Sequence, residues 1–113
     1  MSSASDRLSV IYTAYKTAYG RRASDLKHAA SAEEAQGILD IVEGFERAYL
    51  KAARQALDGN GAEVEAAYQA AKDACKKVDE AYQGARSTAD KIRAGSAAVA
   101  AVTGLVKKAC VRA

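Results

Sequence analysis

The chain has no proline and no tryptophan, one phenylalanine, one histidine and two cysteines in 113 residues. Each absence excludes something. Without proline, nothing interrupts helical hydrogen bonding from within. With 6% aromatics and few β-branched residues there is little to clothe a pleated sheet. One histidine cannot furnish the two Glu-x-x-His motifs of a di-iron bundle, and two cysteines without Cys-x-x-Cys spacing provide neither a disulfide scaffold nor a zinc site. The longest apolar stretch, Ala97 to Val106, is about half of the roughly 20 residues that a bilayer requires. Met1 to Arg7 lacks a basic start followed by an apolar run, so a cytoplasmic location without a cleavable leader is expected, with non-classical export left open. Gly59-Asn60-Gly61 lacks the Lys-Ser/Thr and the preceding strand of a phosphate-binding loop.

What is present is alanine. Twenty-eight alanines against 18 Val, Leu and Ile predict a nearly all-helical chain whose helices approach closely across small side chains. The formal charge of +3 is too small to imply a nucleic-acid partner, and none is expected. Residues 1–30 carry five bases and two acids and residues 31–60 three and six, which suits an antiparallel pairing of the first two helices.

Three points divide the chain. Ser31-Ala32-Glu33-Glu34 fits a capping box. Asp58-Gly59-Asn60-Gly61 is the strongest turn signal, with Asn60 placed to cap the helix that follows. Lys91-Ile92-Arg93-Ala94-Gly95-Ser96 reads as a last basic turn, a terminating glycine and a new N-cap, the weakest of the three because Gly95 also suits a helix interior. The expected helices are therefore 5–29, 32–57, 62–93 and 97–111. The predicted fold is all-α: an antiparallel up-down bundle of three long helices plus a shorter C-terminal fourth, forming one domain over residues 1–113.

Periodicity assigns faces. Helix 1 groups Leu8, Tyr12, Tyr15, Tyr19 and Leu26, with Ile11 and Ala18 at its edge. Helix 2 carries Ile38, Ile41, Val42, Phe45, Tyr49 and Ala52 on one stripe, with Leu39, Leu50 and Leu57 about 100° away, so it is expected to touch two neighbours. In helix 3 the pairs Tyr68/Ala71, Cys75/Val78, Tyr82/Ala85 and Ala89/Ile92 recur every seven residues, predicting coiled-coil-like packing, and this helix is expected to overhang the first two. The last helix is amphipathic through Val99, Val102, Leu105, Val106, Ala109 and Cys110. Folded back at Gly95, it would bring Cys110 opposite residues 79–80, near Cys75.

The helix, Gly-rich turn, helix layout around Asp58 to Gly61 resembles the small exported helical hairpins named for a Trp-x-Gly turn in size and class, without that tripeptide; the alanine content is similar to that of granule-coating phasins. These resemblances, of size, class and composition, imply a small helical protein. The residues speak against an enzyme. His28 stands at a helix end, Cys75 falls in an apolar stripe, and Asp40, Glu43 and Glu46 line a solvent face with no apolar cleft to make paired carboxylates catalytic. No catalytic, metal-binding or cofactor-binding residue is assigned and no cofactor is expected. The expected role is helix docking with a protein partner or a second copy. Its candidate residues are Tyr12, Tyr15, Tyr19, Leu39, Leu50 and Leu57, because tyrosine suits half-wet interfaces and the three leucines lie off the main stripe. The alternative is an exported or membrane-surface protein using the basic amphipathic C-terminal helix.

Overall fold

The computed structural model describes residues 1–84 and 86–110. Four helices account for most of them: α1 (Ala4–Lys27), α2 (Ala32–Arg54), α3 (Ala62–Gln83) and α4 (Thr88–Ala109), with no strand among the described residues. They pack as an elongated bundle of 45 × 24 × 18 Å.

Three of the four helices start in the same way. Ser3, Ser31 and Ser87 stand at N-cap positions in extended conformation, and each hydroxyl accepts the amide N–H three residues on, from Asp6, Glu34 and Asp90. An orphan donor of the first turn is satisfied and a carboxylate sits at the positive end of the helix dipole. At Ser3 the box is reciprocal, the Asp6 carboxylate accepting from the Ser3 N–H. Glu34 instead reaches back to the N–H of Ala30. The exception is α3, whose N-cap is Gly61 at φ 112° with no side-chain cap. Asn60 therefore does not cap it, as the sequence suggested: the positive φ needs glycine, and that places the cap one residue later.

The break between the last two helices lies at Gly84–Ser87 and not at Gly95–Ser96. The Gly84 N–H closes α3 onto the Glu80 carbonyl, and Ser87 opens α4. The expected long helix 3 (62–93) and short helix 4 (97–111) are thereby replaced by two helices of 22 residues, beside 24 and 23 for α1 and α2. The fourth helix is not shorter and the third does not overhang. Ala85, in one of the expected heptad pairs, and position 111, the expected end of the last helix, lie outside the described residues.

Gly95 stays inside α4 because of what faces it. A Cβ there would come within 2.8 Å of Ile41 Cδ1, and one at Gly44 within 2.6 Å of Val99 Cγ1. Ile92 packs onto Gly37 in the same manner. Along α2 and α4, large and small residues thus alternate: Ile92 on Gly37, Ile41 on Gly95, Val99 on Gly44. The contact of α2 with α4 is built on this glycine interlock.

α2 also ends earlier than expected, at Arg54, and Gln55 is extended. Had the helix continued, Leu57 would follow Leu50 by seven residues on a flank that is 43% exposed; leaving the helix lets Leu57 turn inward to 3% exposure. The continuous core runs from Ile11 and Phe45 through Leu57 and Val64 to Val102 and Leu105. α1 packs on α2, α3 on α4 and α2 on α4, whereas α1 meets α3 only sparsely and α2 and α3 stand diagonally apart.

The folded-back tail holds, but its register differs from expectation. The Gly59 N–H donates to the Ala109 carbonyl at 2.8 Å, and Lys108 pairs with Glu63 at 3.5 Å. Cys110 is therefore level with the start of α3, not with residues 79–80. That leaves it roughly 20 Å along the helix from Cys75 at 1.5 Å per residue, and both cysteines are free.

Candidate functional site: a slot between α1 and α3

Because α1 and α3 touch sparingly, the bundle is open along one side. The opening is a cavity of about 340 Å³, within the roughly 300–1,000 Å³ usual for small-molecule sites. Its floor comes from Ile38, Val42 and Phe45 of α2 and Ile92 of α4; its walls are Val10, Ala14 and Ala18 on α1 and Cys75 and Val78 on α3. These wall residues are small where a closed bundle would carry leucine or phenylalanine, so the sequence itself leaves the space.

Both ends of the slot are tied. At one end Arg7, 2% exposed, directs its whole guanidinium inward. Nε donates to Ser2 Oγ, Nη1 to the carbonyls of Leu57 and Gly59, and Nη2 to the Ser2 carbonyl and to Glu65 Oε2 at 2.9 Å. Glu65 also accepts from the N–H and hydroxyl of Ser2, each at 2.8 Å. Those two bonds, the backbone one foremost, and the Arg7 guanidinium hold its carboxyl down at about 2. A buried ion is tolerated here because every donor has a partner.

At the other end the tie is looser and wetter. Arg21 Nη2 lies 3.4 Å from Asp79 Oδ1, and its guanidinium stacks 3.9 Å above the Tyr82 ring. The Tyr82 hydroxyl donates to Asp25, and burial together with that carboxylate pushes the phenol above its ordinary value. Lys91 Nζ sits 4.8 Å from the centre of the same ring.

Between the ties the mouth has two unlike lips. Ser9, Thr13 and Thr17, spaced by four, form a hydroxyl row on α1; Lys72 and Lys76, also spaced by four, face it from α3. Among the described residues none of Lys72, Lys76 and Lys91 is paired with a carboxylate.

The chemistry available in the slot is that of holding. Burial, and Asp79 after it, push the Cys75 thiol up to about 11, so it stays protonated at neutral pH. His28, the one histidine, is at the C-cap of α1 with Nδ1 2.8 Å from the Ser24 carbonyl. No group of three His, Cys, Asp or Glu able to hold a metal ion occurs among the described residues.

The residues that the sequence nominated lie elsewhere. Tyr12, Tyr15 and Tyr19 run along the α1–α2 seam with Tyr49: the Tyr12 and Tyr15 rings lie 5.1 and 5.7 Å from Tyr49, and the Tyr15 hydroxyl donates to Glu46 at 3.1 Å. The inner face of α1 belongs instead to Arg7 and Ile11, both buried, with Ala14 and Ala18 along the slot. Leu39 and Leu50 are exposed on α2, and Leu57 is in the core, so it offers no partner surface. Arg7, Glu65 and the two lips were not singled out from the sequence. A basic residue four before Ile11 on an inward face was the available signal for Arg7. No family model matches the chain, and neither a curated protein nor a solved structure matches it.

Proposed function

We propose that this is a non-enzymatic binding protein, an up-and-down four-helix frame that holds an apolar ligand in the slot between α1 and α3. The observation that carries the reading is the slot itself: about 340 Å³ of apolar-walled space between two helices that side-chain ties join at Arg7 and Arg21. The up-and-down order is supported by paired residues at near-constant separations of 58, 58 and 57 between α1 and α3. Likewise, Tyr12 pairs with Tyr49 and Tyr15 with Glu46 in opposite order along α1 and α2.

Docking of a protein helix or a second copy, the role expected from the sequence, is less well supported. A helix laid lengthwise would have to cross the Arg7 and Arg21 ties, and the Tyr12 and Tyr15 rings already pack on Tyr49, while Tyr12 and Tyr19 remain 43% and 50% exposed. The membrane-surface alternative draws on the apolar arc of α4, but Val102, Leu105, Val106 and Ala109 are at most 1% exposed within the bundle. No described helix is long and apolar enough to cross a membrane, which is compatible with the cytoplasmic location we propose.

Titration with an apolar naphthalene dye tests the reading. One dye per chain is expected, lost in Ala14→Leu, which fills the slot, while helix content is unchanged. Dye binding that is absent, or indifferent to Ala14→Leu, overturns it.

A further inference from the structure

We infer that the slot takes a single-chain anionic amphiphile, its alkyl chain lying along the apolar floor and its head held between the α1 hydroxyl row and Lys72 and Lys76. This rests on the proposed binding role of the slot and adds the chemistry of the ligand.

Four observations lead to it. The floor and walls are hydrocarbon apart from one protonated thiol, and no buried side-chain nitrogen or oxygen among the described residues lacks a partner. Nothing deep in the slot therefore asks for a polar ligand atom. The polar groups are at the mouth, sorted by type: Ser9, Thr13 and Thr17 on one lip, Lys72 and Lys76 on the other. Hydroxyl and ammonium donors facing each other across a gap suit a carboxylate or sulfate head, which accepts from both sides.

The carboxylates that line the slot are already engaged, Asp79 by Arg21 and Asp25 by the Tyr82 hydroxyl. Lys72 Nζ lies 5.2 Å over the Tyr68 ring, but neither Lys72 nor Lys76 has a carboxylate partner among the described residues, so the mouth is left with unbalanced positive charge. Finally, the α1 residues that line the slot run from Ser9 to Asp25, sixteen residues or roughly 24 Å along the helix. An extended alkyl chain lies along that length.

Calorimetric titration of the full chain with dodecanoate, dodecanol and dodecyltrimethylammonium, each below its micelle concentration, tests the inference. Dodecanoate is expected to bind one to one, about tenfold tighter than dodecanol, with the cation weakest. The double variant Lys72→Gln/Lys76→Gln is expected to erase the preference for dodecanoate and leave dodecanol affinity unchanged, a selective loss that general loosening of the fold would not produce. Bound dodecanoate is expected to slow modification of Cys75 by a neutral maleimide and to leave Cys110 unaffected.

Equal binding of dodecanoate and dodecanol by the unaltered chain, or a preference that survives the double variant, overturns the anionic head and leaves the apolar slot standing. Failure of all three to bind overturns both readings. Preference for vesicles of anionic phospholipid over monomeric dodecanoate overturns the single-chain ligand in favour of a bilayer.

Discussion

Two seams join helices that are not neighbours in sequence, α2 with α4 and α1 with α3, and they are built on opposite plans. In the first, glycines at 37, 44 and 95 each receive a branched side chain from the facing helix, so large residues seat directly against small ones. In the second, small residues face one another with nothing inserted between them, and polar ties at the two ends hold the helices apart. Small residues therefore do not dictate close packing. What matters is whether the partner helix presents a large residue at the same level.

The comparison predicts a graded set of responses. The largest belongs to the buried tie. Arg7→Met removes the cation, leaves the Leu57 and Gly59 carbonyls without their donor and Glu65 with Ser2 alone, and is expected to cost about 3–5 kcal/mol in urea unfolding. Next comes the closed seam. Gly44→Ala gains about 1 kcal/mol in helix propensity but places its methyl 2.6 Å from Val99, so a net loss of about 1–2 kcal/mol is expected from overpacking. Ala14→Leu on the open seam is expected to change stability by less than about 1 kcal/mol, because the slot has room for it. Equal costs for these two variants would erase the distinction between the seams. At the looser tie, Arg21→Gln is expected to cost at most about 1 kcal/mol, since that pair is half in water.

Acid separates the two ties in another way. The folded carboxyl of Glu65 is held at about 2, below the ordinary 4.5. Between those values the unfolded chain binds the proton that the folded chain refuses, so this stabilisation is complete above pH 4.5 and drains away as pH falls toward 2. Thermal melts of the protein and of Glu65→Gln are expected to converge over that window. Melts that stay parallel would show that the tie is not electrostatic.

The fold class was legible from composition because alanine content and missing proline act along the whole chain. Boundaries were legible only where local chemistry was unambiguous. Ser31 and Glu34 were read directly, but Gly84-Ala85-Arg86-Ser87-Thr88-Ala89-Asp90 carries the same serine-to-acid signal and was passed over for Gly95, whose meaning is tertiary. A glycine that ends a helix and a glycine that admits a neighbour's isoleucine look alike until the neighbour is in place. The slot was illegible for a related reason: Ala14 and Cys75 belong to respectable apolar stripes, and only the spacing of α1 from α3 turns two stripes into a cavity. Tyrosines are conspicuous in an alanine-rich chain, yet the Tyr12 and Tyr15 rings and the Tyr15 hydroxyl are used within the α1–α2 seam.

The Arg7 guanidinium also bears on the order of events during folding. Its distant partners Leu57, Gly59 and Glu65 are separated from it by 50, 52 and 58 residues, and the carbonyl it takes at Gly59 belongs to the same residue whose N–H caps α4. Such a knot gains nothing from partial formation, since it requires three stretches of chain to be in place together and the loop between them to be closed. It is a contact of the last step. Stopped-flow chevrons of Arg7→Met are therefore expected to show nearly the whole loss in a faster unfolding arm with the refolding arm unmoved, a φ-value near zero. In kinetic terms the buried arginine is a latch: it does not help the bundle to form, and it sets how long the bundle stays formed.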